Sequence, residues 1–215
     1  MIISKQKPFE EILNYLKGKD KIFITGCSLC ATSCMTGGQQ QIDEMKEKLE
    51  KQGKDVTGSV VLDPSCHKLQ ARATLRKQKA ALAEADALLC MACGNGAQTV
   101  ANLVKIPVYP ANDTLFIGEI ERIGEFAEAC KVCGRCELGW SAAICPITKC
   151  AKSLLNGPCG GAENGKCEVN PQNDCAWVLI YNRLEEQNLL HTILDIKDPK
   201  NYIKGSHPTN LAVGR

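Results

Sequence analysis

Apolar residues in the first half of the chain fall in short runs separated by stretches with helical spacing. Lys21-Ile-Phe-Ile-Thr25 reads as a buried-type strand. Gly58-Ser-Val-Val-Leu62, Ala87-Leu-Leu-Cys-Met91 and Pro107-Val-Tyr-Pro110 read as three more. Between them, Glu10–Lys17 predicts a short amphipathic helix. Gln39–Gln52 predicts a longer one, with Ile42, Met45 and Leu49 at i, i+3 and i+7 on one face. Leu69–Ala85, rich in Ala, Leu, Lys and Gln, and Ala97–Val104 complete the helices. Strand–helix alternation of this kind predicts a parallel sheet with helices on its faces. The expectation is an α/β fold: a small flavodoxin-like or Rossmann-like domain over residues 1–122.

The pattern changes at Ile123. Cysteine and glycine dominate Cys130–Cys175, with little periodicity. Such a segment cannot bury enough apolar surface to fold alone, so a metal is expected to organise it. Ala176–Gln187 predicts a helix carrying Trp177, Ile180 and Leu184. Residues 123–195 are therefore read as a loop-rich, cysteine-rich cluster-binding domain. Residues 196–215 hold Pro199, Gly205, Pro208 and Gly214 and read as an extended tail, a candidate docking element. No internal repeat is present.

Composition narrows the function. Hydrophobic residues make up 44% of the chain, enough for a packed core. The formal net charge is +2 and aromatics are 5%. That balance gives no reason to expect nucleic acid or an anionic membrane as partner. The stretch Met1–Pro8 lacks the apolar core of a signal peptide, and no window approaches the ~18 apolar residues of a membrane span. A cytoplasmic location follows as an expectation, and there thiols stay reduced. Against it stand 14 cysteines in 215 residues, below the ~8–10% of a short disulfide scaffold. Clustered cysteines in a reducing compartment point to metal.

The first group is Cys27-x₂-Cys30-x₃-Cys34 after the first strand, Cys66 after the second and Cys93 after the third. In a parallel α/β sheet these points share the carboxyl edge, where ligands bind. Sulfur-only ligation selects zinc or an iron–sulfur cluster. Five candidates stand for four positions. Cys90, inside the third strand, reads as a buried apolar cysteine. Gly37-Gly38 and Gly94-Asn-Gly96 supply backbone N–H groups beside the cysteines. The second of these lacks the third glycine of a nucleotide fingerprint. His67 adjoins a ligand candidate and reads as an ordinary surface or core histidine.

The second group is denser: Cys130-Lys-Val-Cys133-Gly-Arg-Cys136, then Cys145-Pro146, Cys150, Cys159, Cys167 and Cys175. C-x₂-C-x₂-C followed by a remote Cys-Pro is similar to the bacterial ferredoxin run, in which one loop supplies three corners of a cubane. Eight cysteines suffice for two [4Fe–4S] clusters, and a zinc ribbon is the alternative for part of the region. The pairing of ligands stays open at this level. Lys131, Arg135, Lys149 and Lys152 are read as charges offsetting the clusters or as solvated surface.

Cys133-Gly-Arg-Cys136, Ile144-Cys-Pro-Ile-Thr-Lys-Cys150, Leu155-Asn-Gly-Pro-Cys-Gly-Gly161, Gly165-Lys-Cys-Glu168 and Cys175-Ala-Trp177 resemble the methylenetetrahydrofolate reductase C-terminal domain. Cys27-x₂-Cys30-x₃-Cys34, Ala92-Cys-Gly94 and Pro110-Ala-Asn-Asp-Thr-Leu-Phe-Ile-Gly118 resemble the domain that accompanies it, the MetV-type small subunits. The resemblance implies an iron–sulfur accessory subunit carrying two to three [4Fe–4S] clusters. It implies a TIM-barrel partner subunit holding FMN or FAD and the folate, in the methyl branch of the Wood–Ljungdahl route of acetogens. Ferredoxin or an NADH-binding subunit would supply the electrons. The chain itself has no barrel-length series of βα units, no flavin fingerprint and no clustered histidines. Two other classes remain in view: a zinc-and-cluster structural adaptor, and a stand-alone enzyme built on a cluster with an open iron.

Overall fold

The structure is a computed structural model that describes residues 1–212; the end of the expected tail, 213–215, lies outside the described residues. Two compact units divide the chain, Met1–Phe126 and the part from Ala127 onward.

The first unit opens with β1 (Ile2–Gln6) and α1 (Phe9–Tyr15). It continues through β2 (Lys21–Cys27), α2 (Cys30–Ser33), α3 (Gln39–Lys51), β3 (Asp55–Leu62), α4 (Lys68–Lys77), α5 (Lys79–Glu84), β4 (Ala87–Met91), α6 (Gly94–Ala101), β5 (Val108–Pro110) and β6 (Asn112–Arg122). β7 (Glu125–Cys130) leads out of it, and the second unit adds α7 (Pro146–Lys149) and α8 (Ala176–Glu186). The fold is α/β. Its centre is the expected parallel sheet of four strands, in the order β3-β2-β4-β5.

Alternation along β2 and β4 sends side chains to two cores. Ile22, Ile24, Ala87, Leu89 and Met91 meet Ile12 and Leu16 next to α3's Ile42, Met45 and Leu49. Phe23, Leu88 and Cys90 face Ala71 and Leu75 of α4 and Ala97 and Val100 of α6. The stripe read on α3 is buried, at 0%, 1% and 0% exposure. Each of those side chains contributes ~1.5–3 kcal/mol by leaving water. Helices on both faces explain why the strands read as continuous apolar runs.

Two features depart from the sequence reading. The single helix expected over Leu69–Ala85 is two helices, broken at Gln78. A second sheet, β1-β6-β7, was not expected at all. In it β1 pairs antiparallel with β6, Ile2 opposite Ile117. β6 follows Pro110 and begins Asn112-Asp113, residue types depleted in strands. Most of it is exposed, so no clean period-2 pattern marks it.

Asp86 ties the amino ends of β2 and β4 together. Its carboxylate accepts the N–H groups of Asp20 and Lys21 at 3.0 and 2.9 Å. Those bonds, Lys21's first, hold its carboxyl below the ordinary value of 3.8. The stabilisation is therefore fully present above that value and lost as pH falls through the depressed one. Asp86→Asn is expected to lower the denaturation midpoint at neutral pH, with the difference closing in strong acid. A difference that grows on acidification would contradict this.

The second unit is mostly loop. Its core is small: Ile144 packs with Trp177, Ile180 and Leu184 of α8, the stripe read from the sequence. Trp140 lies beside Trp177, ring centres 6.1 Å apart. The tail is not free over its whole length. Lys197 exchanges two 2.8 Å hydrogen bonds with the Asn156 side chain. Residues Tyr202–Gly205 form a 3-10 turn. Among the described residues no helix is long and apolar enough to cross a membrane.

Candidate metal centres

The first cysteine group is built at the carboxyl edge of the parallel sheet. Cys27 ends β2, and its N–H donates to Gly37 O at 2.9 Å. The segment after α2 is thereby folded back across the strand ends. The packing leaves no room for side chains: a Cβ on Gly26 would stand 2.3 Å from Gly37 O, and one on Gly37 1.8 Å from Met91 O. Ser28 N–H donates to Leu62 O at 2.9 Å, and the buried Ser65 hydroxyl donates to Gly26 O, also at 2.9 Å. The Cys66 loop is thus pinned against the end of β2. Cys93 caps α6, whose Gly94 N–H donates to Thr114 Oγ1 at 2.7 Å.

Cys27, Cys30, Cys66 and Cys93 come together by this construction. Burial pushes the Cys66 thiol up, and the neighbouring Cys27, Cys93 and Cys30 add to the rise. A cation held beside Cys66 and these neighbours would relieve that rise. Cys34 is placed otherwise: at the end of α2, it donates its S–H to Ile2 O at 3.7 Å. Cys90 is fully buried in β4, and burial pushes its thiol up to about 12. It is the apolar core cysteine that its position in the strand implied. His67 is the exposed N-cap of α4, accepting Gln70 N–H.

In the second unit the eight cysteines sort into two fours in chain order. Cys130, Cys133, Cys136 and Cys145 line one cavity of about 300 Å³. Val132 and Gly134 both take positive φ, +53° and +79°, which curls the C-x₂-C-x₂-C segment. One consequence is a 3.3 Å bond from Val132 N–H to Cys130 Sγ. Such N–H···S bonds stabilise a thiolate. Cys145 reaches the same cavity from just before Pro146, the first residue of α7.

Cys150 follows α7 and belongs to the second four. With Cys159, Cys167 and Cys175 it lines a tighter cavity of about 20 Å³, beside Lys152, Glu168 and Trp177. Short bridges Glu163–Lys166 and Lys166–Asp174 hold that loop. Cys175 N–H donates to Gly165 O at 2.8 Å, and Cys167 N–H donates to Asn173 O at 3.0 Å. The N–H groups of Asn170 and Val169 hold the Cys167 thiol below its ordinary value. Among the described residues no three His, Cys, Asp or Glu side chains are set to grip a single metal ion. The thiols surround cavities instead, and a sulfur-only donor set suits iron–sulfur clusters and zinc.

One residue beside these cysteines escaped the sequence reading. Lys200, in the stretch taken for an extended tail, buries its ammonium group against the Cys133–Glu137 loop. It donates to Arg135 O and, at 3.1 Å, to Glu137 Oε1. Its side chain is 2% exposed and that of Glu137 8%. Nothing in the local pattern marks Lys200; only the return of the chain does. Of the basic residues that were singled out, Lys152 lines the cavity of the second four. Lys152 pairs with Glu168, and Arg135 lies 3.8 Å from Glu137 and is exposed.

Residues 109–203 match a family model described as Methylene-tetrahydrofolate reductase C terminal. The matched stretch holds all eight cysteines of the second unit and Lys200. No curated protein matches the chain. Through that stretch, under half of its length, the chain is related to methylenetetrahydrofolate reductase.

Proposed function

We propose that this chain is an iron–sulfur electron-transfer subunit of a methylenetetrahydrofolate reductase complex. Its catalytic partner is a TIM-barrel subunit carrying FMN or FAD, and the complex works in the cytoplasm. Reducing methylenetetrahydrofolate to methyltetrahydrofolate takes two electrons and two protons. The chain's part is to pass those electrons singly from ferredoxin or an NADH-binding subunit to the partner's flavin. Bound [4Fe–4S] clusters would supply the one-electron redox chemistry. The protein's own residues hold the thiolates and set the charge around each site.

The observation that carries this reading is the sorting of twelve cysteines into three fours: Cys27, Cys30, Cys66 and Cys93; Cys130, Cys133, Cys136 and Cys145; Cys150, Cys159, Cys167 and Cys175. A structural zinc ion in part of the second unit is the alternative that a sulfur-only donor set leaves open.

Protein purified without oxygen should hold about twelve irons with matching sulfide if all three sites are cubanes, or about eight with one zinc if one site of the second unit is structural. Zinc with little iron would overturn the electron-transfer reading and leave a structural adaptor of the reductase assembly.

A further inference from the structure

We propose that Lys200 is a positioning residue for electron transfer: its buried ammonium group, reaching the Cys133 loop from the chain's last segment, raises the reduction potential of the Cys130–Cys145 site. The proposal rests on the reading of that site as an iron–sulfur cluster.

Among the described basic residues of the second unit, Lys200 is the one whose side chain is withdrawn from solvent beside the Cys133 loop. Lys131 and Arg135, nearer the cysteines in sequence, are exposed. Charge in water is screened, whereas the same charge in a low-dielectric surround acts at several times the strength. One buried cation therefore outweighs several exposed ones.

The backbone around Lys200 is built to keep it there. Gly134 has no side chain, and a Cβ on it would stand 2.6 Å from Lys204 C and 2.7 Å from Gly205 N. Gly205 in turn lies against Cys133: its own Cβ would be 3.1 Å from Cys133 C. The final segment is thus seated directly on the Cys133-Gly134 turn. Lys197 adds to the anchoring, with its ammonium group 5.4 Å from the Trp140 ring centre.

Glu137 gives the device its second half. Its carboxylate is bonded by Lys200 and by Trp140 Nε1 at 2.9 Å. Adding an electron to the site adds negative charge near both groups. Lys200 favours that change and Glu137 opposes it. Each residue's removal therefore has a defined sign, and the two signs are opposite.

The test is a redox titration followed by EPR on the full anaerobic protein. Lys200→Met should shift the potential of one cluster downward, and Glu137→Gln should shift it upward. Lys131→Gln, on the exposed side of the same loop, should leave it nearly still. Cluster occupancy is read from the iron count of each variant. Shifts in the same direction, or no shift in loaded protein, would overturn the proposal. A Lys200→Met protein that loses the cluster is replaced by Lys200→Gln together with Glu137→Gln, which removes both charges. That double variant should lie between the single shifts, and a potential outside them would also overturn it. Wild-type protein without iron would instead sink the cluster reading itself.

Discussion

Replacing Cys136 with alanine should remove about four irons and their sulfide while leaving the other sites loaded, if each four-cysteine site holds one cubane. The expectation follows from which thiols share a cavity. Cys136 lines the site with Cys130, Cys133 and Cys145, and every thiol of its neighbour lies between Cys150 and Cys175. The EPR spectrum should change as well. Cys145 and Cys150 flank α7, a single helical turn of about 6 Å, so one ligand of each site sits at either end of it. Unpaired spins that close broaden each other's signals. The reduced wild-type protein should show an interacting pair, and Cys136→Ala a simpler spectrum from the survivor. Loss of about eight irons from this one change would mean that the ligands are shared across the two cavities. An unsplit wild-type spectrum with both sites reduced would contradict the closeness.

Gly37→Ala should cost about 3 kcal/mol, the upper end of overpacking penalties, because the new methyl group would meet backbone on a strand end. The carbonyl it strikes belongs to Met91, two residues before Cys93. Relief requires moving the segment that carries Cys27 and Cys30, so the first site should also lose metal. Gly18→Ala is the comparison. Its φ is +71°, but a Cβ there meets nothing within 4 Å. Only the left-handed backbone cost of ~1–2 kcal/mol applies, with iron unchanged. Denaturation midpoints and metal counts of the two variants decide the matter. Equal stability would show that the crossing at Gly37 is not tight.

Much of this was legible from residues alone, and the limits have physical causes. The parallel sheet could be read because β2 and β4 are buried on both faces, and α3 because Ile42, Met45 and Leu49 mark one face. β6 could not, since its mostly exposed surface leaves polar residues on both sides. The cysteines pointed to metal by number and spacing, and neither one gives a grouping. Cys34 stands in a C-x₂-C-x₃-C run, and that spacing cannot show that α2 turns its thiol toward β1. Gly37 and Lys200 act through contacts distant in sequence. A local pattern carries no trace of either.

The three cysteine sets differ in what must happen before they exist. The last two are assembled from neighbouring stretches, so closing them needs only short loops and little entropy. Any metal would be taken up by them in the order in which the chain leaves the ribosome. Each can be completed before the next is made, with no exchange of ligands between them. The first set spans Cys27 to Cys93 and comes together only when β2, β3 and β4 have paired. Metal at that edge would therefore report a finished fold, while metal in the later loops would help to create one.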